Sequence, residues 1–152
     1  MSTHAEIIKQ LRDETGVSLG KCQEAVEQAD GDIEKARELL REASAGLSAK
    51  KADRTLGAGS ITSYIHSNLQ VGTLLEMNCE TDFVAKTDAF VQLANDVALH
   101  ITAMGSMDKE SLLAEPFVKN PEITIAQYIE ETIQKTGERI EVGTFSRLTV
   151  LG

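Results

Sequence analysis

From Thr3 to Ala43 the apolar residues fall at helical spacing in three short blocks: Ile7, Ile8 and Leu11; Leu19, Cys22, Ala25, Val26 and Ala29; then Ile33, Ala36, Leu39, Leu40 and Ala43. Three amphipathic helices are the simplest account. Thr15-Gly16 separates the first from the second, Ser18 is placed to cap the second, and Asp30-Gly31-Asp32 ends the second and caps the third. Connections this short oblige the helices to pack on one another as a miniature bundle.

The pattern then changes. Ser44 to Ser60, SAGLSAKKADRTLGAGS, is small, polar and glycine-rich around a basic helical turn of Lys50, Lys51 and Arg54, the composition of a partly helical linker. From Ile61 the period is two: Ile61, Ser63 and Ile65 alternate with Thr62, Tyr64 and His66, and SNLQ then gives way to VGTLLEMNC, which predicts two strands joined as a hairpin. Helical spacing returns at Phe90, Leu93, Ala94, Val97, Ala98 and Ile101, with one apolar face for the sheet. Thr124 and Gln127 make a capping box before Ile125, Ile129 and Ile133, Gly137 suits the stop, and Arg139 to Leu151 alternates as a closing strand. The expected fold is α+β: an N-terminal three-helix unit, a linker helix, and a core of a three-stranded antiparallel sheet with helices packed on one face.

A chain of 152 residues has room for one ordinary core or two small ones, not for a large multidomain enzyme. Its 24 acidic against 15 basic residues remove the non-specific attraction that binds proteins to polyanions, so no direct nucleic-acid contact is expected. The deficit lies mostly in residues 58–152, with 13 acidic and 6 basic side chains; residues 1–57, with 11 and 9, are nearly neutral. Cys22 and Cys79 sit far apart on apolar stripes and read as reduced, buried thiols. No charged start followed by an apolar run marks a signal peptide, and no stretch approaches the roughly 20 apolar residues that span a bilayer. A cytoplasmic protein without a membrane partner is expected.

The usual signatures of chemistry do not occur. There is no G-x-x-x-x-G-K-S/T loop and no G-x-G-x-x-G, since GAGS at Gly57 lacks the later glycine and the preceding strand, so no nucleotide or other cofactor is expected on the chain itself. His4, His66 and His100 fall in different elements without H-x-x-x-H or H-E-x-x-H spacing, and no serine or cysteine stands in a nucleophile elbow, so neither a metal site nor an enzyme is expected. One stretch stays unexplained: NCETDFVAK, Asn78 to Lys86, sets an acidic pair and a lone phenylalanine directly after a buried strand. Two readings fit the residues. Either Asp82 caps a turn and Phe83 plugs the sheet edge, or the ring is kept at the surface for a partner.

LRDETG (Leu11 to Gly16), GDIEKA (Gly31 to Ala36), KKADR (Lys50 to Arg54), NCETDFVAK, EPFVKNP (Glu115 to Pro121) and TGERIEV (Thr136 to Val142) occur in order along nearly the whole chain. Together they resemble the bacterial elongation factor Ts family. The resemblance implies a ubiquitin-associated-like three-helix domain at 1–45, a linker at 46–57 and a core dimerisation-type subdomain at 58–152. It also implies a guanine-nucleotide exchange factor that promotes GDP release from elongation factor Tu, the GTPase that carries aminoacyl-tRNA in translation elongation. In that family the T-D-F motif, here Thr81, Asp82 and Phe83, reaches the GTPase domain, and the ring inserts between two helices beside the nucleotide. Phe90 already offers the core an aromatic, which leaves Phe83 free for that task; the Thr81 hydroxyl also fits a purely local turn.

By the same resemblance Lys9, Arg12, Leu19 and Gly20 match the end of the first helix and the turn into the second, which contact the GTPase. The family usually has G-M-M where this chain has Ser18-Leu19-Gly20. Leu19 is also spaced for the core, and Lys9 and Arg12 equally suit a solvated helix surface. Tyr64 and His66 look like the Tyr-x-His of a second core half found in long members, which touches another domain of the partner. Residues 58–152 suffice for one half only, with GSMDKESLLA (Gly105 to Ala114) spanning the place of a helical insertion, and the single half carries marks of both. A homodimer that restores the missing half is therefore expected. The competing class is an adaptor whose residues 1–45 bind ubiquitin-like or peptide surfaces without exchange activity.

Overall fold

The computed structural model describes residues 2–152. Helix α1 (His4–Thr15) starts where Thr3 and Glu6 exchange side-chain and backbone hydrogen bonds, and stops at Gly16, whose left-handed backbone turns the chain without a steric penalty. Ser18 Oγ caps α2 (Leu19–Gln28), and Asp32 Oδ1 accepts the Glu34 and Lys35 amides at the start of α3 (Ile33–Ser44). These are the caps the sequence predicts. Ile7, Leu11, Val17, Cys22, Val26, Ala36 and Leu40 form a core of their own between the three helices. Leu19 and Ala43 lie outside it. Leu19 opens α2 at the edge of the bundle and is 51% exposed, while Val17, in the turn before it, takes the buried place at that end.

The linker contains a single helical turn, α4 (Leu47–Lys50), whose Leu47 rests against the second core. Strands β1 (Ala58–Ile65) and β2 (Val71–Cys79) then form the expected antiparallel hairpin, with Ala58 opposite Cys79 and Ile65 opposite Gly72. After them come the single turn α5 (Asp82–Ala85), the long helix α6 (Asp88–Met104), α7 (Lys109–Ala114), the short strands β3 (Pro116–Phe117) and β4 (Asn120–Thr124), α8 (Ile125–Thr136) and β5 (Glu141–Thr149). β5 pairs antiparallel with the free side of β2, which makes a sheet of order β1-β2-β5; β3 and β4 pair separately.

Which face of β1 is covered follows from register. Thr62 lies opposite Leu75 and Tyr64 opposite Thr73, and β2 buries Thr73, Leu75, Met77 and Cys79 beneath α6. Phe90, Leu93, Ala94, Val97 and Ile101 of α6 fill that side. The more aliphatic set of β1, Ile61 and Ile65, is consequently turned outward beside Leu74 and Leu148, and the far face of the sheet is both apolar and exposed.

Helix α8 joins the parts. Its capping box is Thr124 with Gln127, and Gly137 ends it in the left-handed region. Ile125, Ile129 and Ile133 enter the core, while the opposite side meets the bundle and the linker: Gln134 Nε2 donates to the Leu40 carbonyl at 3.1 Å, Arg41 lies 3.7 Å from Glu131, and the Ser48 amide of α4 donates to Glu130 at 3.2 Å. Buried polar groups of α6 tie it to α8 and to the β3–β4 hairpin. Asp96 accepts from Tyr128 Oη at 2.5 Å and Lys119 Nζ at 2.9 Å. His100 Nδ1 accepts the Val118 amide at 3.1 Å, and Nε2 faces Glu115 at 2.9 Å. Among the described residues no helix is long and apolar enough to cross a membrane.

Candidate partner-binding site

β2 runs out at Cys79, and the chain leaves the sheet through Glu80 and Thr81 into the four residues of α5. Thr81 caps that turn, its Oγ1 accepting the Val84 amide at 3.3 Å. Consecutive residues of a helix point about 100° apart, so neighbours in one turn can have opposite fates. Val84 is buried; Phe83, one residue earlier, is 81% exposed. Phe90, seven positions on, is an aromatic that the core takes, at 0% exposure. Asp82 is exposed beside the ring. The turn thus offers solvent a flat apolar surface next to a carboxylate, which is the chemistry of docking.

A turn of four residues has no stability of its own, and this one is held from outside. The Glu138 carboxylate accepts the Glu80 amide (3.1 Å), the Thr81 amide (2.9 Å) and the Thr81 hydroxyl (2.7 Å). In return Glu80 Oε2 accepts the Arg139 amide at 2.7 Å, and Glu80 Oε1 lies 3.4 Å from the Arg54 guanidinium. Arg139 in turn donates to the Arg54 carbonyl at 2.6 Å and to Glu141 at 2.7 Å. The linker crosses the turn so closely that a Cβ on Gly57 would stand 3.1 Å from the Glu80 carbonyl oxygen. Beneath the turn, burial together with the nearby Glu138 carboxylate pushes the Cys79 thiol up, away from the reactive thiolate.

The other expected contact residues occupy separate places. Lys9 and Arg12 are exposed on α1, where Ile7 and Leu11 face the bundle core. Leu19 and Gly20 are the first residues of α2, both exposed, and a side chain at Gly20 would meet nothing within 4 Å. Tyr64 and His66 come together at the end of β1, Tyr64 Oη lying 3.2 Å from His66 Nδ1, with Tyr64 half-buried on the helix side of the sheet and His66 exposed. Of the basic linker residues, Arg54 is engaged with Glu80. Sequence reasoning did not single out Glu138 as a site residue. Its only signal was membership of the TGERIEV stretch, because the bonds it makes cross 57 and 58 positions of sequence.

Comparison with known proteins bears on this surface. A family model described as "Elongation factor TS" matches residues 80–151, which begin at the braced turn. Over nearly the full length the chain is similar to the elongation factor Ts of Thermosipho melanesiensis, with 35% identity, 96% of this chain and 97% of that protein covered. Elongation factor Ts of Fervidobacterium nodosum is 34% identical with 99% of both covered, and that of Carboxydothermus hydrogenoformans 35% with 94% and 87% covered. The first alignment extends over 191 positions against 152 residues, so at least 39 positions of it have no counterpart here.

Proposed function

Because this chain belongs to the elongation factor Ts family, we propose that it is a guanine-nucleotide exchange factor that promotes GDP release from elongation factor Tu in the cytoplasm. The observation that carries the proposal is the exposed Phe83 on a fixed surface turn. A large apolar side chain left in water is costly unless something else buries it, and burial in a partner returns about 1.5–3 kcal/mol. Each 1.4 kcal/mol is tenfold in an equilibrium. One ring driven between helices beside a nucleotide site can therefore shift GDP binding by one to two orders of magnitude. Asp82 and Thr81 accompany the ring, and Lys9, Arg12, Leu19 and Gly20 supply the second contact from the bundle.

In this reading residues 1–45 form a domain that docks on the partner, 46–57 link it to the core, and 58–152 carry the exchange motif. Tyr64 and His66 form a third contact, offered to the partner by a second copy of the chain. Two copies related by a two-fold axis would give each partner one Phe83 set and one Tyr64–His66 set. The exposed Ile61, Ile65, Leu74 and Leu148 make the kind of apolar face that such pairing covers.

Release of a fluorescent GDP analogue from elongation factor Tu, with and without the protein, tests the activity. Acceleration is expected at substoichiometric amounts. An unchanged release rate would refute the exchange reading and leave the N-terminal bundle as an adaptor.

A further inference from the structure

Glu138 and Phe83 are 55 residues apart in sequence, yet the Glu138 carboxylate holds the two residues that lead into the ring. The ring itself is exposed and so cannot be oriented by packing. Its neighbours in the turn are anchored chiefly from two sides. Val84 enters the core on one side, and on the other the Glu138 carboxylate collects three hydrogen bonds from Glu80 and Thr81, the two residues immediately before Asp82-Phe83. Glu138 can reach them because Gly137, in the left-handed region at φ 77, ends α8 and reverses the chain there. Glu80 returns the bond to the Arg139 amide, so the two loops clasp each other reciprocally.

We infer that Glu138 is the positioning residue for the exchange motif: its carboxylate fixes the Glu80-Thr81 corner, and through it the direction in which Phe83 leaves the surface. The inference rests on the proposed exchange function and adds to it the part of the molecule that preorganises the ring. A ring that must be ordered during docking loses rotational and backbone freedom at that moment, whereas a ring ordered beforehand does not. Glu138 itself need not touch the partner. Its carboxylate is committed to the turn, so its removal acts on exchange through the turn that presents Phe83.

Two measurements test this. The first is amide hydrogen exchange of residues 81–85 in the free protein, for wild type, Glu138→Ala and Glu138→Gln. Glu138→Ala is expected to speed exchange in that segment by about tenfold or more while α6 and the sheet stay protected. Glu138→Gln keeps one oxygen for the two amides and an NH2 for the Thr81 hydroxyl, and is expected to restore most of the protection. Unchanged protection in Glu138→Ala overturns the inference. The second is GDP release from elongation factor Tu at saturating amounts of each variant, with Phe83→Ala and the double variant included. Glu138→Ala is expected to lower the rate about fivefold or more, Glu138→Gln to recover it, and the double variant to be no slower than Phe83→Ala. Fully additive losses would mean that Glu138 acts elsewhere and would also overturn it. If Phe83→Ala alone releases GDP at the wild-type rate, the exchange role of Phe83 falls, while amide exchange still decides on the brace. Should Glu138→Ala not fold, Thr81→Val, which deletes only the hydroxyl bond to Glu138 and its cap, is expected to change both readouts in the same direction, and no change there refutes the brace.

Discussion

Phe83 and Phe90 stand seven positions apart and have opposite surroundings, one in solvent and one sealed beneath the sheet. The same substitution should therefore separate function from stability. Phe83→Ala is expected to cut the exchange rate by about tenfold or more and to leave thermal unfolding within about 0.5 kcal/mol of wild type, as for a surface position. Phe90→Ala is expected to cost roughly 3–5 kcal/mol. A Phe83→Ala protein destabilised as much as Phe90→Ala would make Phe83 a core residue and end the wedge reading. At this scale the sequence was most informative where the cause is local. Ser18, Asp32 and Thr124 cap the helices assigned to them because a cap needs only its own three or four neighbours. Leu19 was undecided between core and contact, since helical phase names a stripe but not where along it the packing stops. Glu138 escaped notice because its partners are remote in sequence.

Among the elements, α6 and the β3–β4 hairpin show how far a buried charge can be held by its partners. Burial pushes the Asp96 carboxyl up, but hydrogen bonds from Tyr128 and Lys119 outweigh it and hold Asp96 below its ordinary value. A carboxyl whose folded value is depressed contributes stability above its unfolded value, near pH 4, and loses it as the pH falls through the folded one. Asp96→Asn is thus expected to cost about 1–3 kcal/mol at pH 7, with the gap to wild type closing as the pH falls below about 4 in thermal unfolding. A gap that stays the same from pH 7 down through the acid limb of unfolding would show that the charge of Asp96 contributes nothing. Periodicity revealed α6, α8 and the three main strands, yet it did not say which face of β1 is covered, because the more aliphatic face is the exposed one. The hairpin was missed as well: EPFVKNP holds two prolines, and β3 is only two residues long, too short for a period to register.

For the whole molecule, linkage makes two demands. An exchange factor must bind the nucleotide-free GTPase more tightly than the GDP form, and GDP must weaken its binding by the same factor. Calorimetric titration at rising GDP is expected to show affinity falling in step; an affinity indifferent to GDP would rule out exchange. Light scattering over a concentration series is expected to show a dimer, and Leu148→Glu on the open sheet face to dissociate it. A monomer that forms a fully active one-to-one complex would refute the pairing. The three-helix unit and the core were legible from sequence as separate patterns, but not their joint, because Gln134 to Leu40 and Arg41 to Glu131 are contacts of remote residues. That joint is one side of α8, a rod of about 18 Å whose C-terminal end is the corner that clasps the T-D-F turn. On the proposed exchange reading the bundle and the ring are two grips at a set spacing, and the chain would act as a bivalent ligand: once one grip had closed, the other would meet its site at a high effective concentration. Each grip can then be weak. Returning GDP would then have only to loosen the ring for the remaining grip to let go quickly, and a tight complex would still turn over.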